Sequence, residues 1–310
     1  RNFEVLLDKY HDDFLTNRSN TLFHRLTLPN YHGVNIFKTI FFVFKLGFDL
    51  LFKKNSFHLK SHQVYIFTSS IYLPSAYMYA KKNKQSKVVC LIQENLKKNI
   101  ISKILLRNMP DNVNLITITE NLSKKFRAYF KNISVLSNKF NDPGFYKGTK
   151  SYDVLYVGGE NKIKGFNLIK EMNKKNLIDM TCIGFSEDHK SDNFKGYKEN
   201  INNYYQKAKI LLCPITHYHF QRPAIEAGLL GTPFIITEFD SSTNINGYDG
   251  YIFKGYNCET FKQNEITSLL LAMQKILQDY DNYSVHAREA SELFIQKWKL
   301  EANELISKIK

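Results

Sequence analysis

The 310-residue sequence is poor in the residues that build disulfide-stapled, fibrous or low-complexity proteins. It contains 4 cysteines, 14 glycines and 7 prolines. The small number of glycines and prolines excludes a collagen-like or low-complexity chain. The cysteines lie far apart without a C-x-x-C pair, and three of them stand in apolar runs, so we expect neither a disulfide framework nor a zinc cluster. This usage is typical of a reducing compartment. The cysteines are Cys90, Cys182, Cys213 and Cys258.

Acidic residues are in the minority as well. There are 29 Asp and Glu against 43 Lys and Arg, which gives a formal net charge of +14. Such an excess favours nucleic acid, an anionic membrane or a phosphate-bearing ligand. The basic residues are spread along the chain, and no RNA-binding aromatic signature or zinc-finger spacing accompanies them, so nucleic acid ranks last and we expect none as a partner. Nothing resembles a signal peptide, which favours a cytoplasmic location.

One segment, residues 35–54, is apolar enough to suggest a membrane span. Lys38, Lys45 and Asp49 interrupt it, whereas a spanning helix needs about 20 nearly uncharged residues. A charge at the centre of a bilayer is costly, so a helix buried between a sheet and its neighbours is the favoured interpretation, with insertion as the alternative.

The apolar pattern alternates strand-like runs with helical stretches, which indicates parallel α/β sheets. Hydrophobic residues make up 43% of the chain, enough to offset the entropy of ordering it. A polar stretch at 138–148 carries Asp142-Pro143-Gly144 and predicts a linker. We therefore predict two doubly wound domains, 1–145 and 146–290, and a C-terminal helix, 291–310, that packs back toward the first. The predicted strands are 63–68, 87–92, 114–119, 133–136, 153–157, 180–183, 209–214 and 233–237.

The first strand-to-helix turn of the second half contains Gly158, Gly159, Lys164 and Gly165. Glycines permit close backbone approach, and a helix N-terminus with a lysine suits a phosphate group. An ordinary glycine turn with a solvated lysine explains the turn equally well.

The second informative turn follows the strand at 209–214. Pro223 suits the start of a helix, and Glu226 is placed within its first turn. A carboxylate there has a favourable position in the helix dipole and can accept two hydroxyl hydrogen bonds from a ribose. Dipole stabilisation alone is the alternative role of Glu226.

Together the two turns resemble the donor half of the GT-B nucleotide-sugar glycosyltransferases, specifically the large retaining group with an E-x7-E motif. In that group a Val-Gly-Arg turn precedes Lys-Gly, and a later block reads Glu-Ala and then Gly-x-Pro-Val-Ile. The matching residues here are Val157-Gly158-Gly159, Lys164-Gly165, Glu226-Ala227 and Gly231-Thr232-Pro233-Phe234-Ile235. The resemblance covers residues 130–305 well and the N-terminal half only in outline.

The resemblance implies a GT-B fold, with two Rossmann-like doubly wound domains facing an inter-domain cleft. The family's opening strand is not evident here, and residues 3–7 resemble its second strand. It implies a retaining hexosyltransferase that moves a sugar from a nucleotide diphosphate donor to a hydroxyl of a glycan or lipid-linked acceptor in cell-envelope synthesis, without a metal or other cofactor. The net charge of +14 in turn predicts peripheral contact with an anionic membrane surface. The implied donor-binding residues are Gly158, Gly159, Lys164, Tyr197, Phe220, Gln221, Arg222 and Glu226, and the implied catalytic residues are Lys164, Tyr218 and Gln93.

The sequence departs from the family pattern at three positions. Gly159 replaces the phosphate-binding Arg, Tyr218 replaces the first Glu of E-x7-E, and Gln93 replaces the usual active-site His. We expect Lys164, with Lys162, to supply the missing charge, and an Arg restored at position 159 to tighten donor binding if the loop geometry allows its side chain. The departures also leave open a catalytically silent subunit that binds a glycan or a partner glycosyltransferase.

His217 and His219 flank Tyr218 without a third metal ligand nearby. A two-ligand pair is a weak metal signal. We expect them to be loop residues that face the donor sugar or lie on the surface.

Overall fold

The computed structural model describes residues 3–8, 21–26, 64–68, 73–92, 107–137, 140–184, 193–216, 220–238 and 250–309. It confirms the predicted α/β class, because the strands of the described ranges lie in two six-stranded sheets and every pairing between these strands is parallel. The chain divides into two compact units, the first comprising residues 1–137 with 301–310 and the second residues 138–300. The domain limits drawn from the sequence stay predictions.

The first unit contains a sheet with the strand order β2-β1-β3-β4-β5-β6. Val88, Val89 and Cys90 of the fourth strand are all buried, as expected for a parallel sheet covered on both faces. The elements are β1 (Phe3–Asp8), β2 (Thr21–Leu26), β3 (Val64–Thr68), α1 (Leu73–Lys82), β4 (Lys87–Ile92), β5 (Val113–Thr117), α2 (Glu120–Phe126) and β6 (Asn132–Val135).

The second unit contains a sheet with the order β12-β11-β10-β7-β8-β9. Its first strand, β7, lies between β8 and β10, so the order of strands reverses there. Ligands of open α/β sheets bind outside the carboxyl ends of the strands at such a reversal. The elements are β7 (Tyr152–Val157), α3 (Phe166–Lys174), β8 (Met180–Ile183), β9 (Phe194–Lys195), α4 (Asn202–Lys207), β10 (Ala208–Cys213), α5 (Arg222–Leu229), β11 (Phe234–Glu238), β12 (Cys258–Lys262), α6 (Ile266–Gln278) and α7 (Tyr280–Ile309). The end of α7, from Glu301 on, belongs to the first unit.

Two buried clusters cover the two faces of this second sheet. Leu211 and Cys213 of β10 belong to the cluster with Ala224 and Ile225 of α5. Their neighbours Ile210 and Leu212 belong to the cluster with residues of α3 and α6. Alternate side chains of a strand point to opposite faces, so the fully buried run in β10 is satisfied by helices on both sides.

Arg288 of α7 joins three segments of the second unit. Its Nη1 and Nη2 donate to Oδ1 and Oδ2 of Asp142, both at 2.7 Å, and Nη1 also donates to the carbonyl oxygen of Leu229 at the end of α5. Nε donates to Glu292 Oε1 at 2.7 Å. The guanidinium side chain is only 14% exposed. The predicted linker is therefore held to α7 by a bidentate ion pair, and the same guanidinium is hydrogen-bonded to the end of α5.

The predicted strands are confirmed, with ends that differ by a residue or two. The predicted C-terminal helix forms the later part of α7, which begins earlier, at Tyr280. The strands β2, β9 and β12 were not predicted. The apolar segment 35–54 lies outside the described residues. Within the described ranges, no helix is both long and apolar enough to cross a membrane. All four cysteines are buried as free thiols, and burial raises the pKa of Cys90, Cys182 and Cys213 to about 12.

Candidate functional site

The turn after β7 requires glycine at position 159. Gly159 has φ +57°, and a Cβ there would lie 2.2 Å from the carbonyl oxygen of Gly184. The N–H groups of Gly158 and Gly159 both donate to the Ile183 carbonyl, at 3.3 and 3.1 Å. An arginine at position 159 was expected to tighten donor binding only if the loop has room for its side chain. That condition is not met, because any side chain there meets the backbone that follows β8.

Tyr156 stabilises this turn through its hydroxyl, a role that was not predicted from the sequence. Its hydroxyl donates to the Gly159 carbonyl at 3.1 Å, and the side chain is buried. A Cβ on Gly158 would lie 2.4 Å from the same hydroxyl. Burial raises the pKa of Tyr156 well above its usual range, so the phenol stays a donor. The signal was a tyrosine two residues before the first glycine.

The chain next forms a single 3-10 turn, Lys162–Lys164, before α3 begins at Phe166. Asn161 caps it by accepting from the Ile163 N–H at 2.9 Å. The loop after β10 docks on this turn, because the Thr216 N–H donates to the Ile163 carbonyl at 2.8 Å. Two strand-to-helix loops therefore meet at the carboxyl ends of β7 and β10, where the strand order reverses.

Lys164 lines a cavity of about 10 Å³ between these two loops, room for about one water molecule. Its charge lies close enough to Cys213 to oppose the increase in the pKa of that thiol caused by burial. The cavity places Lys164 together with Gln221, which was predicted from a separate part of the sequence. The other lining residues are Tyr156, Val157, Leu211, Leu212, Cys213, Pro214, Ile215 and Pro223.

Glu226 lies in the second turn of α5 rather than the first, because the helix begins at Arg222 and not at Pro223. The prediction that Glu226 is stabilised by the helix dipole as a first-turn carboxylate is therefore wrong. Instead, Glu226 Oε1 accepts from Arg222 Nε at 2.6 Å, and Oε2 accepts from the Tyr205 hydroxyl at 3.2 Å. Its side chain is 22% exposed. The carboxylate is thus held by two donors and still reaches solvent.

Phe220 and Gln221 precede α5 and are fixed by the core. The ring of Phe220 packs on the rings of Tyr251 and Phe294, with centroid distances of 5.5 and 5.9 Å. The Gln221 N–H donates to the Tyr251 hydroxyl at 2.9 Å. These contacts hold the start of the helix that carries Arg222 and Glu226.

Tyr197 follows β9 and is 83% exposed. Gly184 lies between this segment and the Gly159 turn, since its N–H donates to the Lys195 carbonyl at 3.1 Å. Tyr197 therefore follows a strand of the same carboxyl edge. Tyr218 and Gln93, like His217 and His219, lie outside the described residues. Among the residues that the structure describes, no three His, Cys, Asp or Glu side chains cluster as a metal site would need.

Residues 152–272 match the family model for glycosyl transferases group 1. No curated protein matches the sequence. Matching solved structures include S. aureus TarM (TM-score 0.59, 16% identity, 81% of this chain and 57% of that chain). Sucrose-phosphate synthase from Thermosynechococcus elongatus also matches, with a TM-score of 0.67 and 14% identity over 93% of this chain and 83% of that chain. Anabaena HepE in complex with UDP matches with a TM-score of 0.67 and 12% identity over 99% of this chain and 100% of that chain.

These matches establish the fold, which is the GT-B fold of glycosyltransferases. The chain spans 57% of the length of TarM.

Proposed function

We propose that this chain, whose residues 152–272 form a group 1 glycosyltransferase domain on a GT-B fold, transfers a sugar from a uridine diphosphate donor to a hydroxyl acceptor. The observation that carries the proposal is the docking of the Lys162–Lys164 turn on the loop after β10. This docking gathers Lys164 and the Glu226 helix at the reversal of strand order, where ligands of such sheets bind. Both HepE and TarM have been solved with UDP.

In this proposal Lys164 binds the donor diphosphate and Glu226 the ribose hydroxyls. The backbone of Phe220, Gln221 and Arg222 lies by the donor sugar, and the exposed ring of Tyr197 is available to stack on the base. Gly158 and Gly159 contribute by keeping the turn free of side chains. Their N–H groups do not bind the diphosphate in this proposal, because both are already bonded to the Ile183 carbonyl.

The chemical task is to stabilise the leaving nucleoside diphosphate, on which negative charge grows as the glycosidic bond breaks. A fixed cation beside the leaving oxygen is more effective in the transition state than in the ground state. Lys164 lies in a half-buried position between two docked loops, so its charge is less screened than that of a surface lysine. We propose that this charge serves without a metal ion.

The remaining parts of the proposal rest on the family resemblance. They are retention of the anomeric configuration, roles for Tyr218 and Gln93 at the sugar, and a glycan or lipid-linked acceptor of the cell envelope. The net charge of +14 suits a cytoplasmic protein that touches an anionic membrane surface.

Lys164→Ala tests the proposal, with Lys162→Ala as the matched control from the same turn. Lys162 is exposed and does not line the cavity, whereas Lys164 does. We therefore assign to Lys164 alone the charge that was expected of both lysines. We expect Lys164→Ala to weaken UDP binding by calorimetry about tenfold and to reduce kcat for UDP release from the active UDP-sugar further, while Lys162→Ala changes both less than threefold. Equal effects of the two variants would contradict the role of Lys164. Loss of activity on addition of EDTA would contradict the proposal that no metal ion is needed.

The silent-subunit alternative is favoured by one observation, the lack of space for a phosphate-binding side chain at Gly159. A protein that binds no UDP or UDP-sugar at millimolar concentration, yet co-purifies with a second glycosyltransferase, would support that alternative.

A further inference from the structure

Glu226 has two bonding partners of different rigidity. Arg222 is a long side chain that is 52% exposed. Tyr205 of α4 is 1% exposed and packs in the core cluster beside Ala208, Leu211 and Ala227. A buried phenol with two side-chain dihedral angles keeps its hydroxyl in one place, whereas an exposed arginine samples several rotamers. We propose that Tyr205 is the positioning residue that sets the orientation of the Glu226 carboxylate for ribose recognition.

The backbone of Tyr205 is itself held in place. The Thr232 hydroxyl donates to the Tyr205 carbonyl at 2.8 Å, and the Thr232 N–H donates to the Ala227 carbonyl of α5 at 2.9 Å. Lys150 Nζ donates to the same Thr232 hydroxyl at 3.1 Å. Thr232 therefore links the end of α4 to the helix that carries Glu226, so the Tyr205 hydroxyl and the Glu226 carboxylate are presented by mutually fixed segments.

The protonation state of Tyr205 suits this role. Burial, followed by the neighbouring Glu226 carboxylate, raises the pKa of Tyr205 well above its ordinary value of 10. The phenol therefore stays protonated throughout the working pH range, and it donates to a carboxylate that can only accept.

The hydrogen-bond inventory leaves capacity for a ligand. A carboxylate offers about four lone-pair sites. One site on Oε1 is taken by Arg222 and one on Oε2 by Tyr205. About two sites remain, which is the number that the two adjacent hydroxyls of a ribose require. Since Tyr205 fixes the carboxylate plane, removal of its hydroxyl should cost ribose recognition specifically.

Tyr205→Phe removes the donor and keeps the ring, and UDP and 2′,3′-dideoxy-UDP are the probes. The proposal rests on the proposed donor site and predicts that Tyr205→Phe weakens UDP binding by about three- to tenfold while leaving dideoxy-UDP binding unchanged. A merely structural role would weaken both ligands alike. Tyr204→Phe is the matched control, because the Tyr204 hydroxyl has no hydrogen-bond partner among the described residues.

Glu226→Ala separates the two ways of failing. If Glu226→Ala abolishes the preference for UDP over dideoxy-UDP but Tyr205→Phe does not, the positioning role is overturned and the donor site stands. If Glu226→Ala leaves the preference intact, the ribose assignment itself fails. In the double variant, Tyr205→Phe should have no further effect on UDP affinity, since the carboxylate it orients is gone. A further loss in the double variant would contradict the proposal.

Discussion

At the scale of single residues, Gly159 is where the fold constrains the chemistry most tightly. The left-handed backbone and the Gly184 carbonyl both make a side chain at this position unfavourable. The family's phosphate-binding arginine therefore has no place in this turn, and the proposed donor site takes that charge from another position. Lys164 is the residue that the structure brings to the same edge of the sheet.

Gly159→Ala separates the two constraints when it is compared with Gly255→Ala. Gly255 has φ +75°, but a Cβ added there would have no heavy atom within 4 Å, so its variant reports backbone strain alone. We expect Gly255→Ala to lower the free energy of unfolding by about 1–2 kcal/mol and Gly159→Ala by roughly a further 1–3 kcal/mol from overpacking. Urea unfolding with unchanged m-values measures both. Equal losses would show that the turn yields to a side chain.

At the scale of elements, the ion pair between Asp142 and Arg288 fastens the linker to α7. The guanidinium lowers the pKa of the Asp142 carboxyl below its ordinary value of 3.8. A lowered pKa in the folded state means that the contribution to stability is present above the unfolded pKa and is lost as the pH falls through the folded pKa. The linker attachment should therefore fail in acid.

Asp142→Asn tests this dependence. Because the Asp142 side chain is 45% exposed, we expect a loss of only about 1 kcal/mol at pH 7. The difference in Tm between wild type and variant should be constant from about pH 5 to pH 8 and shrink below about pH 4. Asp111→Asn is the control: its pair with Lys131 is 72% and 77% exposed, so its Tm should hardly change. A difference that grows in acid would contradict the sign.

The elements that sequence reasoning missed have tertiary causes. β12 contains Glu259, which breaks an apolar strand pattern. The structure buries it at 4% exposure, with Oε1 accepting from the Tyr283 hydroxyl at 2.5 Å and Lys275 3.7 Å from Oε2. These partners from α6 and α7 replace the water that the buried Glu259 carboxylate loses. Because they are distant in sequence, no local pattern predicts them.

At the scale of the whole molecule, the doubly wound parallel sheets were predictable because buried parallel strands leave continuous apolar runs. The site was predictable only in part. Strand-to-helix turns identified Gly158, Lys164 and Glu226, since such turns lie at the carboxyl edge. Tyr156 and Tyr205 escaped notice because their roles depend on which backbone or carboxylate the fold places against each hydroxyl.

The four buried thiols can be used to measure local and global unfolding, because each becomes reactive only when the structure around it opens. A thiolate is the species that reacts with disulfide reagents, and a folded-state pKa of about 12 for Cys90, Cys182 and Cys213 leaves almost none at pH 8. Ellman's reagent should therefore find no reactive thiol in native buffer and four in denaturant. Cys90 belongs to the first unit and the other three to the second, so peptide mapping of partly labelled chains would show which unit opens at lower urea. Rapid labelling in native buffer would contradict the burial of these side chains.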